Sequence, residues 1–123
     1  MLPNQDRLLH ALTAQQLAAA RPRSTALDGR LVELEVAAWL HLPGLSDLPV
    51  SLLVSYLDGD QEREVSVDHG RIDPQQRILL SGVARLSLKQ SLSRVELRLR
   101  SAFMPQSVKI EEIFVQPVIS NVA

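Results

Sequence analysis

In residues 32–42, Val32, Leu34, Val36, Ala38, Leu40 and Leu42 fall on one face of an extended chain, and Glu33, Glu35, Ala37, Trp39 and His41 fall on the other. A period of two matches the pleat of a β-strand, whose successive side chains point to opposite sides, and it fits no helical stripe. One apolar and one polar face make this a strand with its back to a core. The pattern specifies a fold far more clearly than a chemistry.

The same period returns downstream. Residues 50–57 set Val50, Leu52, Val54 and Tyr56 against Ser51, Leu53, Ser55 and Leu57. Asp58-Gly59-Asp60 then reads as a tight hairpin turn, followed by a strand with Val65 and Val67 on one face and Glu62, Glu64, Ser66 and Asp68 on the other. His69-Gly70 and Asp73-Pro74 bracket a further turn region. Residues 77–88 place Ile78, Leu80, Ala84, Leu86 and Leu88 together, with Gly82 permitting a bend. Residues 94–100 alternate strictly, Val95, Leu97 and Leu99 against Arg94, Glu96, Arg98 and Arg100. In 108–118 the phase slips at Glu111-Glu112, which predicts a β-bulge, and the length of the 30–42 strand predicts another near Ala37–Ala38. Residues 4–21 read as a helix capped by Asn4 and stopped by Pro22, with a narrow stripe of Leu8, Leu9 and Leu12.

Six strands with turns every 8–12 residues predict a mainly β chain. The expected form is an antiparallel β-sandwich with a short N-terminal helix, and a small β-barrel is the alternative. Over residues 30–118 the pattern resembles immunoglobulin-like and jelly-roll sandwiches, without the Cys…Trp…Cys spacing of antibody-type domains. The expected organisation is a helix and linker over 1–29, the β domain over 30–118 and a tail over 119–123. At 123 residues the chain suffices for one core.

Much chemistry is excluded or left without a carrier. With no cysteine, thiolate metal sites, cysteine nucleophiles and disulfides are ruled out. No nucleophile elbow or phosphate-cradling glycine loop occurs, and His10, His41 and His69 lack metal-ligand spacing. Asp58, Asp60 and Glu62 alternate as calcium ligands can, but these are ordinary turn residues and the EF-hand pattern is absent. A net charge of −1 and four aromatic residues argue against nucleic acid. No stretch is long and apolar enough to span a membrane. The expectation is a soluble, cytoplasmic, non-enzymatic chain without a cofactor.

Two features remain as candidate binding determinants. Arg94, Arg98 and Arg100 make one strand basic, while Asp58, Asp60, Glu62, Glu64 and Asp68 make one hairpin acidic. Such complementarity suits a protein partner or homo-oligomer, and it equally suits solvated faces that guard sheet edges. Trp39, the single tryptophan, falls on the polar side of its strand. It is turned into the core by a bulge, covered by the N-terminal helix, or exposed beside His41 in an interface or ligand groove. Trp39, His41, Arg94, Arg98 and Arg100 are therefore the predicted binding residues of an interaction module, self-associating or an accessory subunit of an assembly. A carbohydrate or small-molecule module using Trp39 is the alternative.

Overall fold

The computed structural model describes residues 4–24 and 29–118. Its elements run β1 (Gln5–Ala11), α1 (Ala14–Ala19), β2 (Arg23–Ser24), β3 (Arg30–His41), β4 (Pro49–Asp58), β5 (Gln61–Arg71), β6 (Arg77–Leu88), β7 (Leu92–Ser101) and β8 (Lys109–Pro117). Every ladder is antiparallel. Sheet I has the order β1-β7-β4-β5; in sheet II, β3 pairs β6 along one edge and β2 and β8 along the other. The mainly β class with a short helix is as the alternation predicts.

The apolar faces close on one core. Val32, Leu34, Val36, Ala38 and Leu40 of β3 and Leu80, Ala84, Leu86 and Leu88 of β6 meet Leu52, Val54 and Tyr56 of β4 and Val95, Leu97 and Leu99 of β7, all nearly or wholly buried. Each large aliphatic side chain so removed from water contributes about 1.5–3 kcal/mol, which is what selects the register: a slip of one residue would turn every one of them outward.

The N-terminal segment departs from the helical expectation. Residues 5–11 form β1, the edge strand of sheet I against β7, and only Ala14–Ala19 are helical. A bulge at Leu9 turns it inward, to 8% exposed, while Leu8 faces out at 46%; the adjacent leucines that resembled a helical stripe sit on opposite faces. The helix starts at Thr13, whose hydroxyl accepts from the Gln16 amide while the Gln16 side chain accepts from the Thr13 amide, a capping box. Within the expected linker, β2 pairs with β3 at Leu31 and Arg30. Residues 25–28 of that linker and the expected tail at 119–123 lie outside the described residues.

Two further expectations are corrected. The β3–β6 ladder runs unbroken through Ala37 and Ala38, so no bulge lies there. His69-Gly70 continues β5, opposite Ser51 and Val50, leaving the turn to the residues before Arg77. The predicted bulge on the last strand is present: Trp39 faces Glu112 and Leu40 faces Ile110, leaving Glu111 as the extra residue.

On one side the two sheets meet through β5 and β6. Val67 is the extra residue of a β5 bulge, and its side chain and carbonyl crowd Gly82 of β6 so closely that a Cβ there would lie 3.0 Å from both. The Asp68 carboxylate accepts from the Ser81 amide across the same seam at 2.9 Å. On the other side α1 crosses from the edge of sheet I toward sheet II, leaving an apolar crevice of about 210 Å³ among Leu12, Ala19, Leu34, Val115 and Pro117.

Candidate functional site

The outward face of sheet II is built by the odd positions of β3. Because the β3–β6 register is unbroken, Trp39 lies opposite Leu79, Ala37 opposite Ser81 and Glu35 opposite Val83. On the other flank β8 brings Glu112 beside Trp39, Phe114 beside Ala37 and Gln116 beside Glu35. Trp39, Leu79, Val83 and Phe114 are 43%, 49%, 42% and 43% exposed. Of the three orientations open to Trp39, the structure adopts the exposed one. Its ring, Phe114, Leu79, Ala37 and Glu112 border a shallow hollow of about 240 Å³.

Single exposed apolar residues are ordinary, whereas a contiguous patch of a few hundred Å² is often a functional surface. At 40–50% of side-chain areas on the order of 150–250 Å², the four together present roughly 350 Å² of apolar surface. The ends of the strip differ in charge. His41 sits between Arg77, which Glu111 meets at 3.5 Å, and Lys109 at one end, and Glu35, which accepts from the Gln116 amide group at 2.8 Å, sits at the other.

Arg94, Arg98 and Arg100 lie elsewhere, on the outward face of sheet I, so the predicted binding residues form two separate groups. There the basic strand and the acidic hairpin are matched within the chain. Arg100 donates to both Asp6 oxygens, at 2.6 and 2.9 Å, and to both Glu64 oxygens, at 2.8 and 3.0 Å. Arg94 meets Glu62 at 3.4 Å and Arg98 meets Glu96 at 2.9 Å. The hydrogen bonds from Arg100, reinforced by its charge, hold the Asp6 and Glu64 carboxyls below their ordinary range against a partial desolvation. The same two partners raise the guanidinium further. These side chains roof the outward residues of β4, leaving Leu53 and Ser55 only 6% and 4% exposed. The charge complementarity that suggested a partner is largely spent inside the molecule.

No protein-family model, curated protein or solved structure matches this chain.

The sequence shows Asp58 as a turn residue, a weak calcium-ligand candidate and part of an acidic hairpin, and does not show its structural role. Its carboxylate is buried and accepts from the Lys89 and Gln90 amides at 2.9 and 2.7 Å and from Arg63 at 3.2 Å. The Lys89 hydrogen bond chiefly, then those from Gln90 and Arg63, keep it ionised below the ordinary aspartate range despite desolvation. It ties the β4–β5 hairpin to the β6–β7 connection. Leu79 and Val83 were legible as outward apolar residues, since they break the polar side of their own alternation. Among the described residues no three His, Asp or Glu side chains gather as metal ligands do, and no helix is long and apolar enough to cross a membrane.

Proposed function

We propose that this chain is a non-enzymatic β-domain interaction module that self-associates through the outward face of sheet II, with Trp39 as its apolar anchor. The observation that carries this reading is the grouping of Trp39, Leu79, Val83 and Phe114 on one sheet face, while the charges of the opposite sheet are internally paired. Tryptophan at the centre of an apolar strip with a polar rim is the composition of an energetic hot spot. A cytoplasmic location accords with the cysteine-free composition.

Size sets the strength. Strands of 12, 12 and 9 residues make up the face; at about 3.3 Å per residue and 4.8 Å per strand it covers roughly 500 Å² per copy. Two copies in full overlap bury about 1,000 Å², and a partial overlap buries less, at or below the lower limit for a specific interface, so the expected dimer is transient, with a dissociation constant on the order of tens to hundreds of micromolar. A small-ligand site in the Trp39–Phe114 hollow is the second reading. At about 240 Å³ the hollow falls below the roughly 300–1,000 Å³ of typical ligand pockets, which favours a protein surface.

Sedimentation velocity from low micromolar to high micromolar concentration tests the proposal. A rising weight-average mass is expected, with the Trp39 emission moving to the blue as the ring leaves water. Trp39→Ser should stay monomeric while retaining its circular dichroism. A wild-type chain that remains monomeric throughout would overturn the reading, and a blue shift on adding a glycan or metabolite to that monomer would favour the ligand site.

A further inference from the structure

We infer that the two copies stack sheet II on sheet II in antiparallel fashion, about a two-fold axis that crosses the strands between Ala37 and Trp39. This inference rests on the self-association proposed above and specifies its geometry.

Where β8 flanks β3, the register gives the face four three-stranded rungs: Arg77, His41 and Lys109; then Leu79, Trp39 and Glu112; then Ser81, Ala37 and Phe114; then Val83, Glu35 and Gln116. A closed pair of identical faces needs a two-fold axis lying between the sheets, and for aligned strands it runs close to the strand direction or close to its perpendicular. An axis along β3 sets each rung on its own copy. Trp39 then meets Trp39, Glu35 meets Glu35, and the basic end of Arg77, His41 and Lys109 meets itself. Large side chains would collide and like charges would be desolvated together.

An axis across the strands, between the second and third rungs, exchanges first with fourth and second with third. Trp39 now lies over Ala37 of the other copy and Leu79 over Ser81, so each bulky side chain fills the space above a small one, as interdigitating layers require. Glu35, which among the described residues has a glutamine amide but no cation as its partner, comes over His41 and the neighbouring basic end. Val83 comes over Arg77, whose aliphatic stem it can cover, and Phe114 over Glu112 is the least favourable match. It falls on β8, whose far edge carries no ladder among the described residues, so that carboxylate stays at the rim in contact with water. Shape and charge thus select the same axis.

A charge swap and a distance test this. Glu35→Lys should weaken self-association by about tenfold, since it sets like charges against the basic end, and adding His41→Glu should restore it. With the axis along the strands Glu35→Lys would exchange one like-charge contact for another, leaving association nearly unchanged and no loss to rescue. A spin label at Ser87→Cys, an exposed position opposite Leu31 near the end of β6, should lie roughly 45 Å from its mate across the antiparallel dimer and only about 15 Å in the alternative. A label at the exposed Gln75→Cys, beyond the other end of β6, gives roughly 35 Å against about 15 Å and covers the case in which the first variant misfolds. Swap rescue with the long distances establishes the antiparallel stack. Short distances without rescue refute it and leave self-association intact, whereas a monomeric wild-type chain overturns both.

Discussion

Replacing Arg100 by Met removes a guanidinium that two carboxylates share while keeping most of the aliphatic stem. The side chains of Arg100 and Asp6 are each 29% exposed and Glu64 is 50% exposed, so solvent screens both pairs and neither carries the strength of a buried ion pair. Exposed pairs contribute about 0.2–1 kcal/mol; the two-pronged geometry places Asp6 near the top of that range and the more exposed Glu64 near its middle. Arg100→Met should therefore cost roughly 1.5 kcal/mol at neutral pH, a fall in Tm of about 5 °C for a domain of this size. The pH dependence is the sharper signature. Both carboxyls are depressed in the folded chain relative to ordinary values of 3.8 and 4.5, so their stabilisation is complete above about pH 5.5. It is lost as the pH falls through the folded-state values. Urea titrations of both proteins at pH 7 and pH 3 should show a gap that narrows or vanishes in acid. An equal gap at both values would mean that Arg100 acts through packing alone, and no gap at pH 7 would show the fork to be inert. Hydrogen exchange adds the location: Asp6 lies on β1 and Glu64 on β5, so the variant should loosen the amides of residues 5–11 first.

Other perturbations have equally definite outcomes. Leu97→Ala, at a fully buried position of β7, should cost about 3 kcal/mol in chemical denaturation through the cavity it leaves. Gly82→Val should cost about 1–3 kcal/mol because its side chain has to displace the Val67 carbonyl as well as its methyl group; an unchanged melting temperature would show that the β5–β6 seam gives way. At Gly44, where φ is +83° and open space surrounds the Cα, Ala should lower stability by about 1 kcal/mol and Asn by less, a purely backbone effect. Asp58→Asn should speed hydrogen exchange at the Lys89 and Gln90 amides. It should also flatten the acid limb of the stability profile, because the depressed Asp58 carboxyl stabilises the fold above its ordinary value and is lost below it.

Alternation made β3, β4, β6 and β7 legible, because burial of one face is written directly into every second residue. It failed at β1, where a single extra residue at Leu9 destroys the period over a strand too short to show it twice. The Thr13–Gln16 capping box, which marks the true helix start, was present in the sequence as a T-x-x-Q motif. Trp39 was legible as outward from its parity alone. That Phe114 stands one rung from it was not, since only the β3–β8 pairing brings those distant residues together. The same limit applied to charge: the acidic and basic strands were visible as compositions. Their neutralisation depends on the order β1-β7-β4-β5, which sets Asp6 and Glu64 on either side of Arg100.

That strand order also schedules how the molecule comes together. Gln5 pairs with Ser101 and Ala11 with Glu96, so this strand leaves a ribosome with its partner translated nearly a hundred residues later. At roughly 5–20 residues per second, β1 waits on the order of 5–20 s with an unmatched backbone. Sheet II can pair β3 with β6 in the meantime, whereas sheet I cannot accept its edge until β7 has emerged. Closure of β1 on β7 is thus a late, long-range event, and during that interval a chaperone that holds short extended segments would find its natural substrate in residues 5–11.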